Sequence, residues 1–328
     1  MSKLTTNYLG IELKNPIIVG SSSLTNSVEK IKKIEEAGAG AVVLKSLFEE
    51  QILHEANHQI HSSAGTDHPE AIEYIQNYNR DNSVEEYLQL IKDAKKEVEI
   101  PVIASINCFS SSEWMDFAKK IEEAGADALE LNVYILNTDK NSDSAEYEEL
   151  YYKLIKEITA TIKIPVAVKL SPYFSNLVQV VDKLYAFGAK GVVLFNRFYE
   201  PDVDIDKLTL TTSSVLSSPS DIRKSLRWVA IISDKVQKID ISSSTGVHDG
   251  EAAIKQLLVG AQTVQVCSTL YKNGTEVVSK IISEIEEWMQ SKEFNSIEDF
   301  RGMMSYKNMK NPALYERVQF MKHFSEWH

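Results

Sequence analysis

The chain has 328 residues, 43% of them hydrophobic and 25% charged, so it is long enough and apolar enough to bury a sizeable core. Lys and Arg number 35 against 47 Asp and Glu, and the resulting net charge of −12 argues against nucleic acid or an anionic membrane as the main partner. With two distant cysteines, no signal-peptide core at the N-terminus and no apolar run approaching the roughly 18 residues of a membrane span, we expect a cytoplasmic protein.

One pattern recurs along the chain and predicts its architecture. The segment IEEAGAGAVVL at 34–44 returns as IEEAGADALEL at 121–131, with weaker copies at 186–194 and 258–266. Each copy is typical of a helix end, a glycine that caps it and a short strand buried on both faces.

These copies belong to a series of eight predicted strands separated by helical patterns. Apolar stripes with helical spacing lie between strands, as at Leu177, Val180, Val181 and Leu184. The alternation favours a single (β/α)₈ barrel domain over residues 1–328. An open doubly wound sheet is the alternative, and it is disfavoured because no predicted strand is followed by a Gly-x-Gly-x-x-Gly motif. The predicted strands are 16–19, 41–44, 101–106, 128–131, 165–169, 191–195, 239–242 and 262–266.

Two long connections and a tail interrupt this regularity. The polar connection from Ser46 to about Asn82 is expected to cover the barrel mouth. After the sixth strand, alternating apolar residues from Val203 to Leu210 on either side of Asp206-Lys207 predict a β-hairpin. From Asn295 onward a C-terminal tail is expected to pack outside the barrel or on a partner chain.

In barrels of this kind the active site is built at the carboxyl ends of the strands. Lysine and asparagine side chains are unusually frequent there, and a buried lysine is costly unless it meets an anion. One such residue alone would more simply bond a neighbouring loop, but the set together predicts a ligand site. The candidates are Ser21, Ser22, Lys45, Ser46, Asn107, Asn132, Lys169, Asn196, Thr245, Gly246, Cys267 and Ser268.

Thr245-Gly246 and Cys267-Ser268 follow the last two strands, where such barrels commonly bind phosphate with backbone N–H groups. A glycine there lets the backbone approach an anion closely, although an ordinary glycine turn gives the same pattern. His54, His58 and His61 share helical spacing, but no carboxylate partner accompanies them, so we interpret them as a solvated loop helix and predict no metal site.

Several motifs resemble, in order and spacing, those of class 1 dihydroorotate dehydrogenases, and the resemblance covers nearly the whole chain. They are Asn15-Pro16 before Gly20-Ser21, Lys45-Ser46, Glu130-Leu131-Asn132 with Asn137, VKLSPY at 168–173, Asn196, and Gly246-Val247 with Gly250. The tail motifs RGMMS at 301–305 and NPA at 311–313 resemble a branch related to that family.

The resemblance implies an FMN-binding barrel that oxidises dihydroorotate to orotate in pyrimidine biosynthesis, with a small-molecule substrate and a homodimeric assembly. By position, it implies that Lys169 stabilises the reduced flavin, that Lys45 contacts it near the substrate, and that Ser21, Ser22 and Asn107 line it. Gly246, Cys267 and Ser268 would hold the phosphate, with Thr245 able to donate a hydroxyl there. Asn132, Asn137 and Asn196 would surround the substrate.

One departure from the family pattern bears directly on activity. The family shows Asn-Leu-Ser-Cys-Pro-Asn after its fourth strand, with cysteine as the base, where this chain has Asn132-Val-Tyr-Ile-Leu-Asn137. Ile135 cannot accept a proton, and a positioned base contributes roughly 10²–10⁴-fold to the rate. Cys108 is a substitute base in principle, but a buried hydrophobe is the favoured interpretation.

Other departures fall at the phosphate, where Thr245 and Cys267 replace glycines, and in the strand-two loop, where the family's asparagine motif is missing. Three hypotheses follow. The protein is a flavin oxidoreductase for another small planar substrate, a catalytically inactive flavin-binding relative, or a dihydroorotate dehydrogenase with a displaced base.

Overall fold

The computed structural model describes residues 3–48, 69–107, 113–198, 200–212 and 214–317. The predictions made for His54, His58, His61 and Cys108 lie outside the described residues. Within the described part, no helix is both long and apolar enough to cross a membrane.

Thirteen strands are described, and eight of them form a closed parallel barrel. The barrel strands follow one another as β3, β4, β6, β7, β8, β9, β12 and β13, and the sheet closes because β13 pairs with β3 and β4 pairs with β6. This confirms the (β/α)₈ barrel and excludes the open doubly wound sheet. The strands are β1 Thr6–Tyr8, β2 Ile11–Leu13, β3 Ile17–Val19, β4 Ala41–Val43, β5 Leu47–Phe48, β6 Val102–Asn107, β7 Ala128–Asn132, β8 Val166–Leu170, β9 Gly191–Leu194, β10 Pro201–Asp204, β11 Thr209–Thr212, β12 Asp240–Ser244 and β13 Thr263–Val266.

Helices surround the barrel and pack their apolar stripes against the strands. The stripe predicted from Leu177 to Leu184 is completely buried. The α-helices are α1 Val28–Glu36, α2 Pro69–Glu97, α3 Glu113–Glu123, α4 Ser144–Thr161, α5 Leu177–Ala186, α6 Ile222–Lys235, α7 Gly250–Leu258, α8 Ser268–Asn273, α9 Val277–Ser291 and α10 Ala313–Glu316.

The repeated glycine pattern has the structural role predicted for it. Gly38, Gly125, Gly188 and Gly260 follow α1, α3, α5 and α7, with φ of +95°, +96°, +109° and +116°. This left-handed conformation ends a helix and strains residues that carry a Cβ. The four copies therefore mark the points at which the chain turns from a helix into a barrel strand.

The amino end of the barrel is closed by an N-terminal hairpin that the sequence analysis did not predict. Strands β1 and β2 are antiparallel, and Tyr8, Leu9 and Leu13 are buried against inward-facing residues of the barrel strands. The Leu9 N–H donates to Asp240 Oδ2 at 2.6 Å, which ties the hairpin to β12. We call this hairpin and the residues it covers the floor.

The connection after the second strand is shorter than predicted. The loop was expected to reach about Asn82, but α2 begins at Pro69. Proline is favoured in the first turn of a helix, where its missing N–H costs no hydrogen bond. The polar composition of this segment obscured the helix.

The predicted hairpin and tail are both present. Strands β10 and β11 pair antiparallel, with Val203 opposite Leu210. In the tail, Phe300 is fully buried and its ring packs edge-on against Trp288, with ring centroids 5.0 Å apart. The tail thus extends the apolar packing of α9 rather than forming a separate unit.

Candidate functional site

A cavity of about 650 Å³ opens at the carboxyl ends of the barrel strands. This volume falls within the range of small-molecule sites, roughly 300–1,000 Å³. Eight of the predicted site residues line it: Ser21, Ser22, Lys169, Asn196, Thr245, Gly246, Cys267 and Ser268.

The charged side chains that line the cavity are cationic, whereas the chain as a whole is acidic. Lys169 and Arg197 line it, and none of the described lining residues is Asp or Glu. The chain as a whole has a net charge of −12. Glu130 and Asp221 pair with these two cations from outside the lining, so a ligand in the cavity meets cationic hydrogen-bond donors whose charge is partly neutralised.

Lys169 lies at the bottom of the cavity in a buried polar network. Its ammonium contacts Glu130 Oε1 at 3.3 Å and Gln265 Oε1 at 3.2 Å, and Gln265 Nε2 donates to Glu130 Oε2 at 2.6 Å. Glu130 is 1% exposed and Lys169 8%. These three side chains enter the barrel interior from β7, β8 and β13, and their mutual bonds offset the cost of burying two charges.

Serine hydroxyls form a second buried network beside the first. Ser21 Oγ lies 3.1 Å from Ser46 Oγ and accepts a hydrogen bond from the Ser46 N–H at 2.8 Å, and Ser46 Oγ lies 2.6 Å from Ser105 Oγ. Tyr87 OH both donates to the Ser105 carbonyl and accepts from the Ser105 N–H. Ser21 therefore lines the cavity, and the buried Ser46 supports its hydroxyl from behind.

The predicted asparagines are only partly brought together. Asn196 Nδ2 donates to Asn132 Oδ1 at 2.6 Å across the mouth. Asn137 is exposed, and its side chain bonds Ser142 Oγ and the Asp139 N–H within its own loop. The arrangement thus presents two of the three predicted substrate amides at one place.

Lys45 and Asn107 lie at strand ends and, like Ser46 and Asn132, do not line the cavity. Lys45 is half-buried after β4, where its N–H donates to the Thr25 carbonyl, and Asn107 is half-buried at the end of β6. Their assigned roles toward a ligand stay predictions.

The predicted phosphate end combines a strained turn with a helix start. Thr245 and Gly246 both have positive φ, +75° and +83°. A Cβ at Gly246 would lie 2.2 Å from Ile222 N, so the neighbouring backbone requires glycine here. Thr245 Oγ1 donates to the Phe195 carbonyl at 3.0 Å. The hydroxyl that was expected to replace a glycine N–H is therefore directed to the protein backbone.

Cys267 and Ser268 mark the start of α8. Burial raises the pKa of the Cys267 thiol, and a hydrogen bond with Ser22 opposes that shift. Ser268 Oγ accepts the Ser217 N–H at 2.9 Å. A neutral thiol and a small hydroxyl leave space for a ligand without adding negative charge to the cavity.

Arg197 fixes the segment that forms the outer wall of the cavity, residues 214–217, which we call the strap. Its guanidinium donates to the carbonyls of Val215 and Ser214, at 3.1 Å and 2.6 Å, and pairs with Asp221 at 3.2 Å. Lys272 Nζ donates to the Ser217 carbonyl at 2.9 Å. Two cations thus hold the strap. Two of the guanidinium nitrogens of Arg197 donate to strap carbonyls, which leaves fewer of its N–H groups for a ligand.

His248 stands behind the strap and contacts it. Its Nε2 lies 3.1 Å from Ser217 Oγ. Burial lowers the pKa of His248, and the charge of Lys272 lowers it further. The imidazole is therefore held in its neutral form near neutral pH.

Aromatic rings occupy the other side of the mouth. Tyr134 stacks on Phe198 with ring centroids 3.9 Å apart, and Phe198 lines the cavity. Burial raises the pKa of Tyr134, and the neighbouring Tyr173 adds to that shift. Ile135 is half-buried and packs against the main core. The loop after β7 therefore presents an aromatic ring and an aliphatic side chain.

Sequence reasoning missed Glu130, Gln265 and Arg197 as site residues. The signal for Glu130 was its charge within an otherwise apolar buried strand, one strand away from Lys169. Gln265 carried the corresponding signal in β13. Arg197 directly follows Asn196 at the end of the sixth barrel strand, which was its signal, but its function of holding the strap depends on residues about 17 positions later in the chain.

Comparison with known proteins agrees with this geometry. The family model described as dihydroorotate dehydrogenase matches residues 3–289. The chain belongs to the dihydroorotate dehydrogenase family. This confirms the family resemblance inferred from the motifs at the strand ends.

Curated relatives cover nearly the same length. The chain is 27% identical over 318 residues to the dihydroorotate dehydrogenase B (NAD(+)) catalytic subunit of Thermoplasma volcanium, which covers 92% of this chain and 99% of that protein. It is 25% identical over 311 residues to the same-named subunit of Methanocaldococcus jannaschii, covering 92% and 97%. It is 23% identical over 317 residues to the NAD-dependent dihydropyrimidine dehydrogenase subunit PreA of Escherichia coli, covering 92% and 76%.

Proposed function

We propose that this protein is an FMN-dependent oxidoreductase of the dihydroorotate dehydrogenase type, acting on a small planar substrate at the carboxyl ends of the barrel strands. The observation that carries the proposal is the buried ammonium of Lys169 at the bottom of a cavity lined by no described carboxylate. Glu130 and Gln265 accept two hydrogen bonds from this ammonium and offset the cost of its burial. Since a lysine ammonium carries three donors, one remains for a polar or anionic ligand in the cavity, which supports the proposal.

The residues present fit FMN. A cavity of about 650 Å³ is large enough for a ligand of this size, with Lys169 at its inner end. The strained turn at Gly246 and the start of α8 at Ser268 offer backbone N–H groups for a phosphate. Arg197 lines the same cavity, and Lys272 holds the strap that forms part of its wall.

Bound FMN would supply the acceptor for a hydride taken from the substrate. In this proposal Lys169 stabilises negative charge on the reduced ring, Ser21, Ser22, Ser46 and Asn107 line the ring, and Lys45 contacts its substrate side. Thr245 and Gly246 offer backbone groups to the phosphate, and Cys267 and Ser268 shape the space around it.

The substrate would meet Asn132 and Asn196, whose amides already lie together at the mouth. Asn137 would join them only if its loop released the bond to Ser142. The curated relatives named above act on dihydroorotate or dihydropyrimidine, which favours a pyrimidine-like ring. A link to pyrimidine biosynthesis is part of the same proposal.

Turnover of dihydroorotate itself is expected to be slow. Ile135 holds the position of the family's base and cannot accept a proton, which removes roughly 10²–10⁴-fold of rate. The aromatic and aliphatic surface formed by Tyr134 and Ile135 favours a less polar substrate. A catalytically inactive relative that retains flavin is the second candidate, favoured by the same missing base.

Anaerobic mixing of FMN-loaded protein with dihydroorotate separates these candidates. No rapid loss of flavin absorbance, but reduction by another dihydropyrimidine or planar reductant, supports the proposal. Rapid bleaching by dihydroorotate would indicate a displaced base. A flavin that no substrate reduces would favour the inactive relative. Protein that is colourless and takes up no added FMN would overturn both flavin candidates.

The variant Ile135→Cys sharpens this test. It places a thiol at the base position, and we expect faster flavin reduction by dihydroorotate. Ile135→Val, which changes volume without adding an ionisable group, is the matched control and should not accelerate reduction.

We further propose a homodimer, a single domain over residues 1–328 and a cytoplasmic location. The family resemblance supports the first, the continuous barrel supports the second, and the low cysteine content supports the third. Sedimentation of the purified protein tests the first directly.

A further inference from the structure

Two neighbouring strands of the barrel are polar along their whole inward face. On β12 the inward positions are Asp240, Ser242 and Ser244, because side chains two residues apart along a strand share a face and Ser244 lines the cavity. On β13, Thr263 and Gln265 lie beside Ser242 and Ser244 in the strand register. These five residues, which we call the polar seam, run through the barrel interior from its amino end to the cavity.

Three hydroxyl groups meet in the barrel interior without a protein partner. Ser242 Oγ, Thr263 Oγ1 and the hydroxyl of Tyr8, which enters from the floor, are buried. In the described part of the chain, no group completes a hydrogen bond with any of them. Buried hydroxyls in proteins are nearly always bonded, either to protein groups or to ordered water. The three hydroxyls together therefore indicate a place where a small polar ligand is bound.

The Tyr8 hydroxyl is close to both carboxylates of the barrel interior. Burial raises the pKa of Tyr8 well above its usual range, the charges of Glu130 and Asp240 add to the shift, and the nearby Ser242 hydroxyl opposes it. The phenol is therefore neutral near neutral pH and remains a hydrogen-bond donor. It stands between the amino end of the seam and the network of Lys169.

Glu130 has the acceptor capacity that matches these unused donors. An ionised carboxylate offers about four acceptor positions. The described side-chain donors to Glu130 are Lys169 Nζ and Gln265 Nε2, and Gln265 lies two residues beyond Thr263 on the same strand. Unused acceptors on Glu130 thus lie next to unused donors of the polar seam, and water is the ligand that joins the two.

The interior at this level has space for water and a connection to solvent. Ala128, Ala167 and Gly191 are inward residues with the smallest side chains, in the region where Tyr8 is packed. Asp240 is only half-buried at the amino end of the seam. A buried water is held where the site is polar, roomy enough and supplies two to four partners, and the seam meets these conditions.

We propose that the hydroxyls of Tyr8, Ser242 and Thr263 hold ordered water beneath the cavity, and that this water donates to Glu130 and completes its hydrogen bonding. The carboxylate charge is then shared between the water and Lys169, which leaves the ammonium more available to a ligand in the cavity. Water reaches this position from the amino end, so it stays in place when a ligand fills the cavity. Ser242 and Thr263 are positioning residues in this role, since they act on Glu130 through the water.

The test compares two neighbouring serines of β12 that face opposite sides of the strand. Ser242→Ala removes a hydroxyl from the barrel interior, and Ser243→Ala removes one from the outer face; both serines are fully buried, and neither hydroxyl has a partner among the described residues. Thr263→Val removes a second inward hydroxyl at nearly constant volume. The infrared carboxylate band that is lost in Glu130→Gln reports the hydrogen bonds to Glu130. We expect this band to shift in Ser242→Ala and Thr263→Val, to shift further in the double variant, and to stay in place in Ser243→Ala.

A high-resolution crystal structure of the wild type is the second measurement, and it decides the question even where a variant does not fold by circular dichroism. Ordered water is expected within hydrogen-bond distance of Ser242 Oγ, Thr263 Oγ1 and Glu130. Three hydroxyls that bond only to protein groups would overturn the proposal. So would a Glu130 band that stays in place in both inward variants, or one that Ser243→Ala shifts equally. Protein that binds no FMN overturns the proposed function alone, because neither measurement requires a bound flavin.

Discussion

The two ends of the barrel interior are built from the same strands but from opposite chemistry. At the floor, Ile103, Ala128 and Ala167 pack beneath the N-terminal hairpin. Two residues further along the same strands stand Ser105, Glu130 and Lys169, all buried and all hydrogen-bonded. Successive inward-facing positions on each of these strands therefore belong first to an apolar core and then to a polar site.

This difference predicts that the floor contributes to stability and that the carboxyl ends of the strands contribute to both stability and ligand binding. The floor is mainly apolar, with the buried Tyr8 hydroxyl and the Leu9–Asp240 hydrogen bond among its few polar groups, so its main contribution is packing. At the carboxyl end of the strands, which we call the mouth, the charges of Glu130 and Lys169 are buried. Burying them lowers stability, and the ion pair between them offsets this cost. Perturbing the mouth should alter ligand binding and stability together, whereas perturbing the floor should alter stability alone.

The largest effect is expected from Lys169→Ala. It leaves Glu130 buried without its cation, and breaking a buried pair costs about 3–5 kcal/mol. Urea unfolding should show this loss, and FMN affinity of the folded protein should fall. The control Lys32→Ala removes a 2.7 Å pair whose side chains are 46% and 50% exposed, and should cost under about 1 kcal/mol.

A second substitution, Glu130→Ala, should restore much of the stability that Lys169→Ala removes. In Lys169→Ala/Glu130→Ala both charges are gone, so much of the lost stability should return while FMN affinity stays low. Equal stabilities for the single and double variants would contradict the view that Glu130 needs Lys169.

Next in size is Leu13→Ala at the floor. Leu13 is 1% exposed, and removing such a side chain costs about 2–4 kcal/mol through lost burial and the cavity left behind. The midpoint of urea unfolding measures the loss, with Leu136→Ala, at a residue 65% exposed, as a nearly neutral control. FMN affinity below the transition should be unchanged, and a parallel drop in affinity would remove the distinction between the two ends.

Glu130→Gln separates charge from volume at the mouth. The amide keeps the shape of the side chain but no longer neutralises Lys169, so the reduced, anionic flavin should be favoured. We expect the midpoint potential of bound FMN to rise by about 30 mV, equivalent to about 1.4 kcal/mol for two electrons. Glu97→Gln on the surface is the control, and a potential that stays constant or falls would contradict this electrostatic role.

The smallest effect is a pH dependence from His248. Its pKa is lowered in the folded state by burial and by Lys272, so the unfolded chain binds protons more readily. The stabilisation is fully present above the unfolded pKa of about 6.5 and is lost as pH falls through the lowered folded value. Urea midpoints measured from pH 7.5 to 5.5 should fall less steeply in His248→Gln than in the wild type, and identical slopes would contradict this.

The barrel could be predicted because its signals are local and repeated. Glycines at 38, 125, 188 and 260 mark four of the turns from a helix to a barrel strand. The buried strands that follow are continuous apolar runs. The floor hairpin escaped prediction because its strands have three residues each, too few to show a period. The start of α2 at Pro69 was hidden by polar composition.

For the candidate site, too, residues with a local sequence signal were predicted and residues without one were missed. Residues at strand ends follow from the fold, which is why Lys169 and Asn196 were found. The partners of Lys169 were not found, because a contact between Glu130 and Gln265 joins strands 135 residues apart in sequence. Asn137 was expected at the substrate because it follows Asn132 just past the end of a predicted strand and because the family resemblance implies it. Its side chain instead bonds Ser142 within its own loop.

The floor hairpin has a practical consequence for experiments on this protein. Lys3 forms a bridge with Ser296, and Arg301 Nη1 donates to Thr6 Oγ1 at 3.2 Å, so residues 3–6 are anchored at the end remote from the cavity. A molecule tethered to a sensor chip through its first residues would therefore present the open side of the barrel to the flowing solution. Ligand titrations on such a surface should report the same affinities as titrations in free solution.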